Sequence, residues 1–389
     1  MTNFINGVLY GEDFTFHRGG FSVENGRFSK VWQGDCPVET GTAVDLNGAA
    51  VIPGLIDIHF HGGVGEDFTS GTYEGLCRVA AWLLQNGVTS FSIGSVTQTE
   101  EVLTKAFCNA ARFAKERPQG TSRIEGITME GPFFSKEKKG AQSEEYLHLP
   151  DAGMVERLSG ASDGLLRVIA VAPELPGSME WIERLSGMYR ISLGHTAADY
   201  DCCREAFSRG ASQVTHLFNG MEPLHHRAPG LIAAAAEQES VRAELICDGV
   251  HVHESVVRLA FRLFGAERII LVSDGLSVCG LETDGIYGSG EDALLLQNGA
   301  AYLTDGETLA GSVTPLFSCM RNAIRFGIAP EDAVRAATAN PAEALGAYAH
   351  TGSISAGKWA DFVVCDADFQ IRQVYSEGIL ADRKERGKI

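Results

Sequence analysis

Val51-Ile52-Pro53-Gly54-Leu55-Ile56-Asp57-Ile58-His59-Phe60-His61-Gly62-Gly63 is an apolar run that ends in two histidines one residue apart. Side chains alternate faces along a β-strand, so His59 and His61 point to the same side and their imidazoles can close on one ion. The glycines that follow leave room beside it. Imidazole suits zinc and other first-row divalent metals, and catalytic sites commonly hold such ions with three protein ligands and one open position. Two unrelated strand histidines would give the same spacing. The metal reading gains its weight from ligand-type residues that recur at the ends of later strand-like runs.

The 389-residue chain is long enough for two or three domains or one large barrel with an appendage, and its composition, 44% hydrophobic and 21% charged, is that of a globular protein. A formal charge of −18 and a pI near 5.0 argue against nucleic acid or an anionic membrane as partner, because both demand a basic footprint. An anionic substrate would need a local cluster of donors. The nine cysteines are scattered, none forms a C-x-x-C, and the adjacent Cys202-Cys203 is a poor disulfide candidate. Reduced thiols and a cytoplasmic location are expected. No export signal and no apolar run of membrane-spanning length is read.

Residues 1–50 show short alternating runs, with Asn25-Gly26 as a hairpin signal, and are expected to form a small all-β piece. From Pro53 strands alternate with helices, which argues for parallel β/α units. Eight strand candidates are read: Leu55 to His61, Ser90 to Gly94, Ile124 to Glu130, Leu166 to Ala172, Arg190 to His195, Gln213 to Asn219, Ala243 to Asp248 and Arg268 to Asp274. Eight strands close a (β/α)8 TIM-like barrel. Amphipathic stretches such as Tyr73 to Gln85 and Glu101 to Lys115 supply its outer ring. The glycine-rich segment Gly275 to Gly311, with turn signals at Asn298-Gly299 and Asp305-Gly306, lies beside the expected mouth and is a candidate lid. Helical pattern resumes over Val313 to about Gly346, with a break and restart at Asn340-Pro341. The tail returns to strands and is expected to pair with residues 1–50. The expected division is therefore 1–50 and 347–389 forming one small β-sandwich, with 51–346 as the barrel.

In such a barrel the carboxyl ends of the strands share one face, where catalytic side chains converge. The strand ends supply His59, His61, Glu130, His195, His216 and Asp274. Carboxylates buried among imidazoles are costly unless a cation neutralises them, so a divalent metal is the simplest way to satisfy the set.

The strand-1 motif and the tail Gly352-x-Ile354-x-x-Gly357-x-x-Ala360-Asp361 resemble the amidohydrolase superfamily of metal-dependent hydrolases. Met129-Glu130-Gly131-Pro132-Phe133, Gly194-His195-Thr196, Thr215-His216-Leu217-Phe218-Asn219-Gly220-Met221 and His225-His226-Arg227-Ala228-Pro229-Gly230 are similar to its family of amino-sugar-phosphate deacetylases. The likeness runs from about Gly48 to the carboxyl end. It implies hydrolysis of the acetamido group of N-acetylglucosamine 6-phosphate, or of its galactosamine epimer, to the amino sugar phosphate and acetate. Another superfamily amide hydrolase and a non-catalytic scaffold on the same fold are the alternatives. A dihydroorotase-like site is disfavoured because Leu166 to Glu174 contains no lysine to carbamylate.

The resemblance also implies roles. Asp274 moves a proton from water to the leaving nitrogen, and His251 polarises the substrate carbonyl, with His253 as its competitor for that role. Asn219, Gly220 and Arg227 hold the phosphate, Arg227 reaching across a homodimer interface. Gln142 stands where other members have a histidine that touches sugar hydroxyls. With both strand-1 histidines present, two ions per chain are expected, of zinc, iron, manganese or cobalt, with Glu130 bridging them.

Overall fold

The structure is a computed structural model in which residues 1–35, 40–288 and 293–382 are described. Parts of the expected small domain (36–39 and 383–389) and of the candidate lid (289–292) lie outside the described residues.

All eight expected barrel strands form. In chain order they are Leu55–Asp57, Val88–Ser95, Arg123–Met129, Leu166–Val171, Arg190–Leu193, Gln213–Val214, Arg242–Ile246 and Ile269–Val272, each parallel to the next in one eight-stranded sheet. Helices Tyr73–Gln85 and Glu100–Glu116 follow the first two strands. Their N-caps are Thr72 and Thr99, whose side chains accept from Gly75 N–H and Val102 N–H, satisfying donors that the first helical turn leaves unpaired. Strands one, four and seven are not neighbours, so Ile56, Val168 and Ile246, all fully buried, meet in one cluster inside the barrel together with Ala342 and Leu345. That layer is apolar, and the candidate ligand side chains lie past the ends of the strands.

Several expected strands are shorter than their apolar runs. The first stops at Asp57 rather than His61, and the sixth at Val214 rather than Asn219. The reason is where the backbone bonds go. Beyond Asp57 the chain stays anchored by irregular contacts: Thr128 Oγ1 donates to Ile58 O, Gly94 N–H to Phe60 O and Asp274 N–H to His59 O. His61 N–H donates to Gly275 O at 2.7 Å, so the loop after the eighth strand laps the end of the first.

The strands of the expected sandwich belong to one continuous eight-stranded sheet drawn from both chain ends, in which Ala50–Pro53 lies between Thr2–Tyr10 and Phe362–Cys365. Phe4, Phe21, Phe28, Phe362 and Tyr375 pack its buried face. Asn25 and Gly26 turn the hairpin between Phe16–Glu24 and Arg27–Gln33 with positive φ at both positions, as a two-residue hairpin loop requires. Gly54 joins this sheet to the barrel, and a Cβ there would lie 2.0 Å from Thr89 Oγ1.

The segment after the eighth strand contains a three-stranded antiparallel sheet, Gly285–Tyr287, Leu294–Gln297 and Ala300–Leu303, with Asn298-Gly299 as the turn between the last two. The helical stretch that follows breaks at Thr338 (φ −133, ψ −77), not at Asn340-Pro341. Pro341 sits in the first turn of helix Ala339–Ala344, where its missing N–H costs little.

Candidate metal centre

Glu130 directly follows the third strand and is almost fully buried. Its Oε1 lies 3.1 Å from His195 Nε2, 3.0 Å from His216 Nε2 and 3.5 Å from His59 Nε2, while its Oε2 lies 3.3 Å from His61 Nε2. His61 Nε2 is in turn 3.2 Å from Asp274 Oδ1. These six residues form two groups, Glu130 with His195 and His216, and His59 with His61 and Asp274, all buried. Glu130 stands between them, Oε1 near both histidines of the first group and His59 of the second, and Oε2 near His61.

These separations fit a metal. Ligand atoms about 2.0–2.2 Å from one ion at tetrahedral angles lie roughly 3.3 Å from each other. The electrostatics agree. Burial opposes the charged forms of Glu130 and Asp274, yet the surrounding histidines hold both carboxyls below their ordinary range. Burial likewise disfavours imidazolium at His59, His61 and His216, but the carboxylates outweigh it and raise all three. A cluster that draws protons into a dry pocket is one with an excess of negative potential, the condition a cation relieves. His59 Nε2 is also buried without a hydrogen-bond partner, an orphan that an ion between the groups would satisfy.

Local backbone aims these side chains. His195, His216 and Asp274 all have positive φ, at 47°, 25° and 49°. Non-glycine residues seldom tolerate that region, and such strain concentrates at functional sites. Each turns the chain sharply at a strand end. Phe134 stacks on the His195 ring with centroids 4.4 Å apart.

The other expected site residues divide. His251 has a nearly buried side chain within the field of Asp274, its Nδ1 2.6 Å from Asp248 Oδ2 and its Nε2 2.7 Å from Ala310 O. His253 is exposed and caps helix Glu254–Phe264, accepting from Ser255 N–H, so of the two histidines His251 is the one packed inward. Gln142 does not face open space: Thr97 N–H donates to its Oε1 at 2.7 Å, and its Nε2 donates to Glu130 Oε2 at 2.7 Å. Asn219 N–H donates to His216 O, and its side-chain amide leans on the carbonyls of His216 and Leu217. Gly220 packs against the His195 ring, where a Cβ would come within 3.1 Å of Nδ1. Arg227 lies in an exposed turn with His225 and His226, not gathered to the six central residues of its own chain.

Three residues that the motif reading passed over stand behind the centre. Glu244, fully buried, accepts from His59 Nδ1; Asp248 braces His251; Asp57 binds Ser273 next to Asp274. Each carried a signal in the sequence. Glu244 and Asp57 are lone acids inside apolar strands, and Asp248 sits three residues before His251.

A near-closed parallel barrel with a metal-type donor set at its carboxyl rim defines the class: the chain belongs to the amidohydrolase family, whose model matches residues 50–382. Within that class the chain is 34% identical to the N-acetylglucosamine-6-phosphate deacetylase of Bacillus subtilis, over 86% of this chain and 85% of that one. It is 32% identical to the enzyme of the same name from Vibrio furnissii, over 94% and 95% of the two chains. Among solved structures, N-acetyl-D-glucosamine-6-phosphate deacetylase of Mycobacterium smegmatis, a mutant in complex with N-acetyl-D-glucosamine-6-phosphate, matches with a TM-score of 0.89 and 31% identity over 98% of each chain.

Proposed function

We propose that this chain is a metal-dependent deacetylase that hydrolyses the acetamido group of N-acetylglucosamine 6-phosphate to glucosamine 6-phosphate and acetate. The observation that carries the reading is the pair of buried donor triads meeting at Glu130, in a chain that matches deacetylases of that name over most of its length.

Glu130, His195 and His216 would hold one divalent ion, and His59, His61 and Asp274 would border a second, with Glu130 shared. A divalent ion bound there lowers the pKa of water from about 15.7 toward roughly 7 and polarises an amide oxygen. The chain's own residues do the rest. Asp274, kept ionised at neutral pH by His61 and His59 despite its burial, accepts the proton of the attacking water. It then delivers that proton to the sugar nitrogen as the carbon–nitrogen bond breaks, without which the amine would be a poor leaving group. His251 presents both ring nitrogens to acceptors, Nδ1 to Asp248 Oδ2 and Nε2 to Ala310 O, and with Asp248 raising it against its burial it carries a proton on each. Its Nε2–H would turn from Ala310 O to the acetamido oxygen as charge develops there. Gln142 steadies Glu130, its amide spent on Thr97 N–H and Glu130 Oε2 rather than held free for a sugar hydroxyl.

The phosphate is held by Asn219, Gly220 and the guanidinium of Arg227 from the second subunit of a homodimer. A bidentate guanidinium suits a phosphate, and an exposed arginine turn serves a neighbour better than its own barrel. The proposed domain division is 1–50 with 347–389 around a barrel of 51–346, the crossover falling at Gly54 because Ala50–Pro53 still pairs in the small sheet. A cytoplasmic location agrees with the free thiols of Cys77, Cys108, Cys202, Cys203, Cys247, Cys279 and Cys319, and no described helix is long and apolar enough to cross a membrane.

The test is acetate release from N-acetylglucosamine 6-phosphate and its galactosamine epimer by protein loaded with zinc, iron, manganese or cobalt. The reading requires turnover of the gluco substrate that chelation abolishes. Metal-loaded protein that releases no acetate from it would overturn the reading.

A further inference from the structure

Every imidazole around the centre turns Nδ1 away from it. Those of His61, His195 and His216 meet backbone carbonyls of Gly94, Lys138 and Asn219 at 3.2, 2.8 and 3.1 Å. A carbonyl oxygen only accepts, so these rings carry a proton on Nδ1 and aim Nε2 inward. Among the four histidines of the two triads, His59 alone among described residues meets a carboxylate instead: its Nδ1 lies 2.7 Å from Glu244 Oε2. Both side chains have no solvent exposure.

Glu244 comes from the seventh strand, Arg242–Ile246. Besides His59 it accepts from His216 N–H at 3.2 Å through Oε2 and from Gln213 Nε2 at 2.6 Å through Oε1. One carboxylate thus touches a residue of each triad. On the other side of its ring, His59 Nε2 is the buried atom without a partner. A carboxylate behind a ligand histidine fixes its tautomer and strengthens the opposite nitrogen as a donor.

We propose that Glu244 is the positioning residue that makes His59 a ligand for the second ion. It locks the ring with the proton on Nδ1, leaves the Nε2 lone pair directed between Glu130 and Asp274, and ties that ring to His216 of the first triad. The inference rests on the two-ion reading above. Glu244 acts through His59 and does not itself reach the ion.

The test is calorimetric titration of metal-stripped protein with zinc, for the unsubstituted chain and for Glu244→Gln, Glu244→Leu and His59→Asn. Glu244→Gln keeps shape, and Gln213 can turn its amide so that its Oε1, now buried without a partner, accepts the new N–H. The unsubstituted chain takes two ions. In Glu244→Gln the second ion should bind about 10–100-fold more weakly while the first stays near its original affinity, a selective loss that general destabilisation would not give. Glu244→Leu should approach His59→Asn, which loses the second ion. Histidine-selective ¹⁵N spectra of metal-free protein, taken above the pH at which His59 gives up its second proton, supply a separate reading: the His59 signals, identified by their absence in His59→Asn, should report Nδ1–H in the unsubstituted chain and mixed tautomers in Glu244→Leu. Two ions bound at original affinity in both Glu244 variants, or an unchanged His59 tautomer in Glu244→Leu, would overturn the inference and leave the deacetylase reading standing. A single ion on the unsubstituted chain overturns the second site and the inference together. Titrations as expected without acetate release would sustain the inference and remove only the deacetylase reading.

Discussion

Asp57 accepts hydrogen bonds from both the backbone N–H and the hydroxyl of Ser273, at 3.3 and 2.5 Å. Asp57 ends the first barrel strand and Ser273 directly follows the eighth, and among the described residues no ladder pairs those two strands. A side chain therefore seals the seam where the barrel meets itself. Ser273 precedes Asp274, and Asp57 also accepts from His59 N–H, so the seam bears on both ends of one candidate triad.

That seam has a pH signature in metal-stripped protein. Burial pushes the Asp57 carboxyl up to about 7, against the hydrogen bonds from Ser273 and His59. The unfolded chain gives up this proton near pH 4, whereas the native state keeps it to about 7. The group's contribution is thus complete below the unfolded pKa and is lost as pH rises through the folded one, a change on the order of 4 kcal/mol for about three pH units. Asp57→Asn cannot ionise and can still bond Ser273. Denaturant unfolding with chelator should show the variant gaining on the unsubstituted protein from pH 4 to 7.5; a constant gap would contradict the account.

Removing the proton carrier should stop chemistry and spare substrate binding. Asp274→Asn is expected to lower kcat by roughly 10²–10⁴ with KM little changed, since general acid–base catalysis contributes about that much. Steady-state acetate assays decide it, and a kcat within tenfold of the original would exclude Asp274 from this role.

Ligand number is read by elemental analysis. His59→Asn and His61→Asn should each lower bound metal by about one ion per chain, leaving the Glu130, His195 and His216 ion in place. Unchanged stoichiometry in both variants would mean that the strand-1 histidines hold no ion.

His251 is buttressed by Asp248, whose carboxyl is kept below its ordinary range by His251 and by backbone N–H groups although burial opposes this. His251→Asn should cost about 10²–10³ in kcat, as removal of a donor to a developing oxyanion does. Asp248→Asn should lose less, in the same direction, and both should keep their metal. Loss of metal in either variant would show a structural part instead.

Subunit sharing of Arg227 is tested by mixing. Arg227→Ala and Asp274→Asn, each nearly inactive alone, should recover about a quarter of the original activity when refolded together in equal amounts, because random pairing gives half heterodimers with one intact site of two. No recovery would place Arg227 in its own subunit's site or in none.

Much of this was legible in the linear chain. Eight apolar runs alternating with amphipathic helices specify a parallel barrel, and Asn25-Gly26 and Asn298-Gly299 specify hairpins, because periodicity and positive-φ turns are local properties. His59, His61, Glu130, His195, His216 and Asp274 could be named because a parallel barrel brings all its strand ends to one rim. Where a strand stopped could not be read: Thr215 to Asn219 looks like strand, yet the chain leaves the ladder at Val214 and swings His216 inward at positive φ.

The order of residues thus determined which elements form and which side chains reach the rim. Only the tertiary structure decided how they are held: Glu244 behind His59, Asp57 on Ser273, Gln142 on Glu130, and His251 rather than His253 packed inward on Asp248. The first three pairs join positions separated by 12 to 216 residues. Contacts across such distances follow from how strands stagger and close, and no local periodicity encodes which buried acid meets which imidazole.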